Sequence, residues 1–265
     1  RPAVCGPRMA LVARMPQAAL LKKVVDAMRD LCKDVNFDCS AKGIQVQAMD
    51  STHIALVSLL LRQAAFSELA CETPVSLGVN MDSLGKILKM FAPGDPLRLQ
   101  LDKGGTTLAF QCESGDEDKI STFELKLMQL DVDHMEIPAQ RYQVTARLPS
   151  VEFRKIITDL KEFGEALQIT AGKGSLKFSV LGDVGSGHVA LRPRKAERPE
   201  ERVTLEVKEP VVATFALRYL VSFTRAAPLC STTTLQLGPE VPLLLTFDLE
   251  RPEQGHLQFY LAPIE

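Results

Sequence analysis

The same order of predicted strands and helices occurs twice in this chain of 265 residues, and this internal repeat is the strongest constraint on its fold. In each half a proline, Pro16 or Pro149, precedes an amphipathic helix, because proline is tolerated at the start of a helix but not inside it. A hairpin then follows around Lys42-Gly43 or Lys173-Gly174, where glycine allows a tight turn. The repeat indicates a duplicated architecture.

Helical and strand-like spacings of apolar residues alternate through both halves. Leu20, Val24 and Met28 recur at helical spacing in the first predicted helix, and shorter segments around it alternate like half-buried strands. We therefore predict an α+β fold made of two similar domains, each with two helices packed on antiparallel sheets. The predicted limits are a disordered leader at residues 1–8, an N-terminal domain at 9–126, a connector at 127–142 and a C-terminal domain at 143–265.

The connector at 127–142 fits neither a helix nor an ordinary flexible linker. Pro138 excludes a helix there, and the segment lacks the glycine and serine of a flexible linker. Its apolar residues alternate with Asp131 and Asp133. We expect an extended segment along the surface, with its apolar side chains partly docked and partly available to a partner.

Composition limits the classes of protein to which the chain can belong. A hydrophobic fraction of 46% suits a protein with a substantial core, and no apolar run is long enough to span a membrane. Residues 1–8 lack the apolar core of a signal peptide. The six cysteines have no metal-ligand spacing, which favours reduced thiols in an intracellular compartment.

Signals of catalysis are weak. Residues 182–187 contain three glycines like a phosphate-binding loop, but a strand follows them where that motif requires a helix, so we predict a hairpin turn. The four histidines are widely spaced, and none has a nucleophile or metal partner nearby in sequence. We predict no catalytic residue, no metal site and no cofactor. An enzyme with a small-molecule site on a sheet remains the rival, which a cluster of acid, base or metal-binding residues would favour.

The four predicted helices share a second face that carries lysine and arginine. For one helix alone, a solvated surface is the simpler interpretation. Four such helices in a chain of net charge −2 favour attraction to the phosphates of duplex DNA without readout of bases. The candidate DNA-facing residues are Lys22, Lys23, Arg29, Lys86, Lys89, Arg154, Lys155, Lys161, Arg218 and Arg225.

Several segments resemble the proliferating cell nuclear antigen family, the eukaryotic sliding clamps, in matching order from about Met9 to Glu265. These segments are Leu21-Lys-Lys-Val24, Gln47-Ala-Met-Asp-Ser-Thr-His-Ile-Ala-Leu56, Gly85-Lys-Ile-Leu-Lys89, Lys126-Leu-Met-Gln-Leu-Asp-Val132, Thr214-Phe-Ala-Leu-Arg-Tyr-Leu220 and Tyr260-Leu-Ala-Pro263. The resemblance implies a nuclear homotrimeric ring that encircles double-stranded DNA and serves DNA polymerases as a processivity factor. It also implies docking of the clamp loader and repair proteins through short peptide motifs. A subunit of a heterotrimeric checkpoint clamp is the alternative.

The resemblance also implies sites on individual residues. The expected partner-peptide pocket comprises Met49, His53, Ile54, Leu56, Met135, Ile137, Pro138, Val241, Pro242, Tyr260, Leu261, Ala262 and Pro263. Lys173 falls at the lysine that the family uses for ubiquitin-type modification. Strands near 119–126 and 185–192 are candidate open edges that could join head to tail in a ring. Their expected contact residues are Ile120, Phe123, Leu125, His188, Val189 and Leu191.

The sequence departs from the family in four places. Thr158 and Glu162 occupy helix positions where relatives usually carry basic or imidazole side chains. Glu136 replaces a usual glycine in the connector. The loop Arg192–Arg202 is more basic than in relatives, and the chain stops just after Tyr260–Pro263 without the acidic tail of many relatives.

Overall fold

The computed structural model describes residues 9–113, 120–131, 137 and 140–264. It divides the chain into two compact units. The first comprises Arg1–Ala48, Leu59–His134 and Arg251–Gly255, and the second comprises Met49–Ser58, Met135–Glu250 and His256–Glu265. The predicted leader at 1–8 lies outside the described residues, and the predicted domain limits remain a prediction.

Each half of the sequence contributes two helices and nine strands among the described residues. In the first half these are β1 (Met9–Met15), α1 (Ala18–Met28), β2 (Asp34–Ser40), β3 (Gly43–Met49), β4 (Ala55–Arg62), β5 (Glu68–Ala70), β6 (Val75–Asn80), α2 (Met81–Leu88), β7 (Leu97–Asp102), β8 (Thr107–Glu113) and β9 (Ile120–Lys126). In the second half they are β10 (Val144–Pro149), α3 (Ser150–Leu160), β11 (Ala166–Gly172), β12 (Ser175–Gly182), β13 (Gly185–Leu191), β14 (Thr204–Val207), β15 (Val211–Ala216), α4 (Leu217–Phe223), β16 (Thr232–Leu237), β17 (Leu243–Asp248) and β18 (Gly255–Leu261).

The strand orders confirm the internal duplication. The order β5-β1-β7-β8-β9 in the first half is matched strand for strand by β14-β10-β16-β17-β18 in the second. The remaining strands follow the orders β4-β3-β2-β6 and β13-β12-β11-β15, which also correspond one to one. The ladders with a recorded register are all antiparallel, as in β11 with β12 and β16 with β17. The chain is therefore α+β, as predicted.

Alternating side chains of the strands form the core of each unit. In β16 every second residue is buried, and in β12 Leu176, Phe178 and Val180 point inward, because successive strand residues face opposite sides of a sheet. Each helix covers such a face with its apolar stripe. Phe153 and Ile157 of α3 are fully buried. This packing stabilises the helix, which has no capping side chain at its start.

The glycine-rich segment at 182–187 is a hairpin turn, as predicted. Strands β12 and β13 pair from Leu176 opposite Leu191 to Gly182 opposite Gly185. A side chain at Gly182 would lie 1.9 Å from the carbonyl oxygen of Phe163, and Gly185 has a φ of 147°. Both positions therefore require glycine for the chain's own packing, so the motif has a structural explanation without phosphate.

The fourth helix is shorter than predicted. The sequence predicts a helix over 216–226, but α4 ends at Phe223 and continues as a 3₁₀ segment, Thr224–Leu229, that contains Pro228. Proline has no N–H to donate to the carbonyl four residues earlier, so the chain tightens into the 3₁₀ geometry before it.

None of the described cysteines forms a disulfide; Cys32, Cys39, Cys71 and Cys112 are buried, and Cys230 is half-buried. The described residues contain no cluster of His, Cys, Asp or Glu that could hold a metal ion. Among the described helices, none is long and apolar enough to cross a membrane.

Candidate functional site

The turn between β3 and β4 is organised by one buried carboxylate, that of Asp50. Its Oδ1 accepts hydrogen bonds from the backbone N–H groups of Ile54 and Ala55, both at 2.8 Å. Its Oδ2 accepts from the N–H of Thr52 at 3.0 Å and from the Thr52 hydroxyl. His53 at the tip of the turn has a φ of 59°, a left-handed conformation that is unusual for a residue other than glycine.

Helix α4 supplies a further hydrogen-bond donor to this carboxylate. The Tyr219 hydroxyl donates to Asp50 Oδ2 at 3.0 Å and lies 2.6 Å from the Thr52 hydroxyl. Burial disfavours the charged form of Asp50, but hydrogen bonds, first that of the Thr52 side chain, outweigh it and lower the pKa of the carboxyl to about 2. Asp50 is therefore ionised throughout the physiological range.

The turn borders an apolar surface on the second unit. The N–H of Ala262 donates to the carbonyl of Ile54 at 3.1 Å, which brings the end of β18 beside the turn. Across β17, Leu243 stands opposite Leu261 and Leu244 opposite Tyr260, so Val241 and Pro242 lie at the start of the strand next to this end. Of the predicted pocket residues that the structure describes, those with half-buried side chains are Met49, Ile54, Leu56, Ile137, Val241, Pro242, Tyr260, Ala262 and Pro263.

Four predicted pocket residues need separate comment. The side chain of Leu261 is fully buried, because in β18 it points to the core while its neighbour Tyr260 points outward, and its place in the pocket stays a prediction. Met135 and Pro138 lie outside the described residues, as does Glu136. His53 is exposed on the turn.

Sequence reasoning missed Tyr142, which lies close to the pocket. Burial raises its pKa to about 12, and the nearby Tyr260 adds to that effect. Its hydroxyl is buried and has no hydrogen-bond partner among the described residues. Sequence reasoning also missed Asp50, Thr52 and Tyr219. Only the folded chain brings α4 to a turn that precedes it by more than 150 residues.

The described start of the connector lies along the first unit, as expected. The N–H of Met128 donates to the carbonyl of Gly78 at 2.8 Å, and the Asn36 amide donates to the carbonyl of Leu130 at 3.1 Å. A side chain at position 78 would lie 2.1 Å from the Met128 carbonyl oxygen, so glycine permits this close approach. Asp131 is exposed.

The predicted DNA-facing cations differ in exposure and in their nearest acids. Three of them lie near acids on or just after the same helix: Arg29 is 3.5 Å from Asp26, Lys155 is 2.7 Å from Asp159, and Lys161 is 3.8 Å from Glu162. Lys22 and Lys23 are half-buried. The side chains that are exposed without a recorded acidic partner among the described residues are Lys86, Lys89 and Arg154.

The two remaining arginines lie on or after α4. Arg218 is exposed, its Nη2 is 3.3 Å from the Tyr219 hydroxyl, and its guanidinium lies 4.9 Å from the centre of the Tyr219 ring. Arg225 is exposed in the 3₁₀ segment. Within the units, α1 packs on α2 and α3 packs on α4, so each unit presents its cations from a helix pair.

Strands β9 and β13 end the strand orders in which they lie. Ile120 of β9 is 65% exposed, and His188 of β13 is exposed while Val189 is half-buried. Leu125 and Leu191 are buried within their own units, so they could join an interface only through their backbone groups, and their place in it stays a prediction. Phe123 is half-buried and meets Phe91 edge to face at 5.4 Å.

The candidate modification site Lys173 and the charged loop 192–202 both lie in the second unit. Lys173 is exposed in the turn between β11 and β12. The charged loop 192–202 is anchored to α3, because Arg194 Nη2 lies 2.9 Å from Glu152 Oε2. Thr158 and Glu162 are exposed on and just after α3, where Glu162 faces Lys161.

Comparison with known proteins gives a consistent result. The family model "Proliferating cell nuclear antigen, N-terminal domain" matches residues 10–136, and the corresponding C-terminal model matches residues 136–264. A proliferating cell nuclear antigen of Chaetomium thermophilum is 44% identical to this chain over 254 residues, which is 96% of this chain and 97% of the relative.

Proposed function

Because the chain belongs to the proliferating cell nuclear antigen family and is a DNA sliding clamp, we propose that three surfaces carry its function. These are the edge strands β9 and β13 for assembly, the cationic helix faces for DNA, and the pocket beside the Asp50 turn for client peptides. Family members form homotrimers around DNA that bind polymerases and repair proteins. We propose that this chain acts in the nucleus and performs no catalytic step. The checkpoint-clamp alternative is not favoured, since both models and the relative point to proliferating cell nuclear antigen.

The assembly proposal rests on which neighbours the corresponding strands of the two halves have. In the second unit, β18 has as its neighbour the part of β4 that belongs to this unit. The counterpart of β18 is β9, and the counterpart of β4 is β13. Among the described strands, β9 and β13 each lack a second neighbour. If the duplication extends to assembly, β9 of one chain pairs with β13 of the next, which is a head-to-tail contact that closes into a ring.

The DNA proposal rests on position and charge. A ring around a duplex needs cations on rigid elements that attract phosphates without reading bases. Lys86, Lys89 and Arg154 supply exposed charges of this kind, and Arg218 adds a fourth. The ion pairs of Lys155 and Lys161 reduce their attraction for DNA, so the first three residues carry the larger share of it.

The peptide proposal rests on an apolar surface with polar edges, which marks a partner site. Its ligand is a short segment with aliphatic and aromatic side chains on one helical turn, which docks its apolar face in the groove. Tyr260 presents a ring with a polar tip, which suits it to the edge of such a surface.

A topological experiment tests the clamp. Trimers are allowed to thread onto linear duplex DNA, after which both ends of one sample are blocked with bulky protein caps. We expect retention on the blocked DNA and rapid loss from DNA with free ends at the same salt concentration. Equal retention on the two DNAs would indicate ordinary surface binding, and a monomer in native mass spectrometry would exclude the ring.

A further inference from the structure

The turn at 51–54 depends on interactions with one side chain. The backbone N–H groups of Thr52 and Ile54 in the turn, and that of Ala55 just after it, donate to the Asp50 carboxylate at 2.8–3.0 Å. A backbone that enters the left-handed region at His53 needs such support to persist. The geometry of the turn therefore follows the position of the Asp50 carboxylate.

The position of that carboxylate depends in turn on α4. Tyr219 is 6% exposed and Asp50 is 7% exposed, so the hydrogen bond between them is shielded from competing water. The Tyr219 hydroxyl contacts both Asp50 Oδ2 and the Thr52 hydroxyl. Removal of this hydroxyl would break both hydrogen bonds that join Asp50 and Thr52 to α4 in the part of the chain that the structure describes.

The turn also supplies the edge of the apolar surface. Ile54 is half-buried, and its carbonyl accepts the hydrogen bond from Ala262 at 3.1 Å. A shift of the turn would move Ile54 relative to Tyr260 and Ala262. Peptide affinity depends on a pre-organised surface, because ordering the site during binding reduces affinity.

We propose that Asp50, Thr52 and Tyr219 form a clasp that fixes the 51–54 turn to helix α4 in the geometry that client peptides need. The proposal rests on the proposed peptide pocket and adds positioning residues that need not touch the peptide. The clasp joins segments 167 or more residues apart through one hydroxyl-to-hydroxyl contact and one hydroxyl-to-carboxylate hydrogen bond, so its effect should be separable from the contacts of Tyr260.

The test removes single hydroxyl groups. Tyr219→Phe keeps the ring, and Thr52→Val keeps the shape of the side chain and its backbone N–H. Each trimer is titrated calorimetrically with a synthetic peptide that presents aliphatic and aromatic side chains on one helical turn. We expect each variant to bind about 3- to 10-fold more weakly, the range for loss of a hydrogen bond to a charged group when part of the loss reaches the pocket. Ser222→Ala is the control, since its hydroxyl bonds only within α4, to the Arg218 carbonyl.

Hydrogen exchange supplies a readout that weaker packing elsewhere would not change. The N–H groups of Thr52, Ile54 and Ala55 should exchange faster in Tyr219→Phe, while the amides of β17 keep their protection. Affinity equal to that of the parent, or unchanged exchange at these three amides, would overturn the clasp. If Tyr219→Phe fails to fold, Thr52→Val decides by the same two measurements.

The same titrations separate the clasp from the pocket. If the parent does not bind the peptide, or Tyr260→Ala binds it equally well, the proposed pocket is wrong and the clasp falls with it. If Tyr260→Ala weakens binding but Tyr219→Phe and Thr52→Val do not, the pocket stands and the clasp alone is wrong.

Discussion

Two tyrosines of the second unit show how the same hydroxyl group can have opposite energetic effects. Tyr219 donates to an ionised carboxylate at 3.0 Å. The Tyr142 hydroxyl is buried with no hydrogen-bond partner in the part of the chain that the structure describes. An intramolecular hydrogen bond to a charge stabilises a fold, whereas a buried group without a partner carries only its desolvation penalty.

Replacing each of these tyrosines by phenylalanine should therefore have different consequences. We expect Tyr219→Phe to lower the free energy of unfolding by about 1–3 kcal/mol, and Tyr142→Phe to leave it unchanged or raise it. Urea denaturation at one fixed protein concentration measures both, since the stability of an oligomer depends on concentration. A loss in Tyr142→Phe as large as that in Tyr219→Phe would show that the Tyr142 hydroxyl has a partner in the folded protein.

The pocket side chains give a second prediction at this scale. Truncation of Ile137 or Tyr260 to alanine should cost roughly 1–3 kcal/mol of peptide affinity, because central apolar anchors dominate such interfaces. Calorimetry with the helical-turn peptide measures the loss. Val184→Ala is the control, since Val184 is 82% exposed in the turn between β12 and β13. If both pocket variants bind as the control does, the connector is an ordinary linker.

At the scale of elements, local sequence signals predict most of the fold. Glycine and proline mark hairpins and helix starts, and the paired signals at Gly43 and Gly174 are enough to indicate the duplication from the sequence alone. The hairpins predicted around Gly43 and Gly174 are observed as β2 with β3 and β11 with β12. Boundaries fail where a side chain changes the local geometry, as at Pro228 after α4.

The site is less predictable than the elements, for a physical reason. A resemblance can supply candidate residues such as Tyr260 and Leu261, but it does not say which of them faces inward. In the fold, Leu261 is fully buried and its neighbour Tyr260 is half-buried. The Asp50–Tyr219 contact has no local signal at all, because it joins a turn to a helix that follows it by 169 positions.

The edge strands carry the prediction for assembly. A charge at Ile120 should weaken the trimer, because Ile120 is 65% exposed on β9 and would be buried by strand pairing. Phe123→Asp is a less specific probe, since Phe123 packs on Phe91 within its own unit and its loss would also destabilise the fold. Sedimentation of Ile120→Asp over a range of concentrations measures the shift towards monomer.

A matched control lies on another edge strand. Val212 is 60% exposed on β15, which ends the strand order opposite to β13. Val212→Asp introduces the same charge at similar exposure, and we expect it to leave the trimer intact. Equal weakening by both substitutions would attribute the effect to added charge and argue against β9 as the contact strand.

The whole molecule raises a question of charge, because a chain of net charge −2 has to surround a polyanion. We propose that the positive charge that meets DNA is concentrated on a few side chains. Lys86, Lys89 and Arg154 are exposed on the helix faces, whereas several other cations of these faces lie beside acids. Only cations that meet phosphates release counterions on binding, so net charge does not determine the salt dependence.

Reversal of Lys86, Lys89 and Arg154 to glutamate should weaken binding to duplex DNA of any sequence. The plot of log affinity against log salt concentration should become flatter by up to about one unit of slope for each phosphate that the protein no longer neutralises. Titrations of the trimer with two unrelated duplexes at several salt concentrations measure both effects. The trimer should persist in sedimentation, because these side chains are exposed and lie on elements other than the edge strands.

A second triple variant separates local from global charge. Lys42, Arg147 and Lys208 are exposed and lie on no helix, so their reversal changes the net charge of the chain by the same amount. We expect this variant to retain the parental slope, apart from a small uniform loss of affinity through long-range repulsion that salt screens. If both triples flatten the slope equally, the DNA responds to total charge and the helix faces have no special role. A loss confined to one of the two duplexes would mean that the protein reads bases, which a clamp that slides along DNA cannot do.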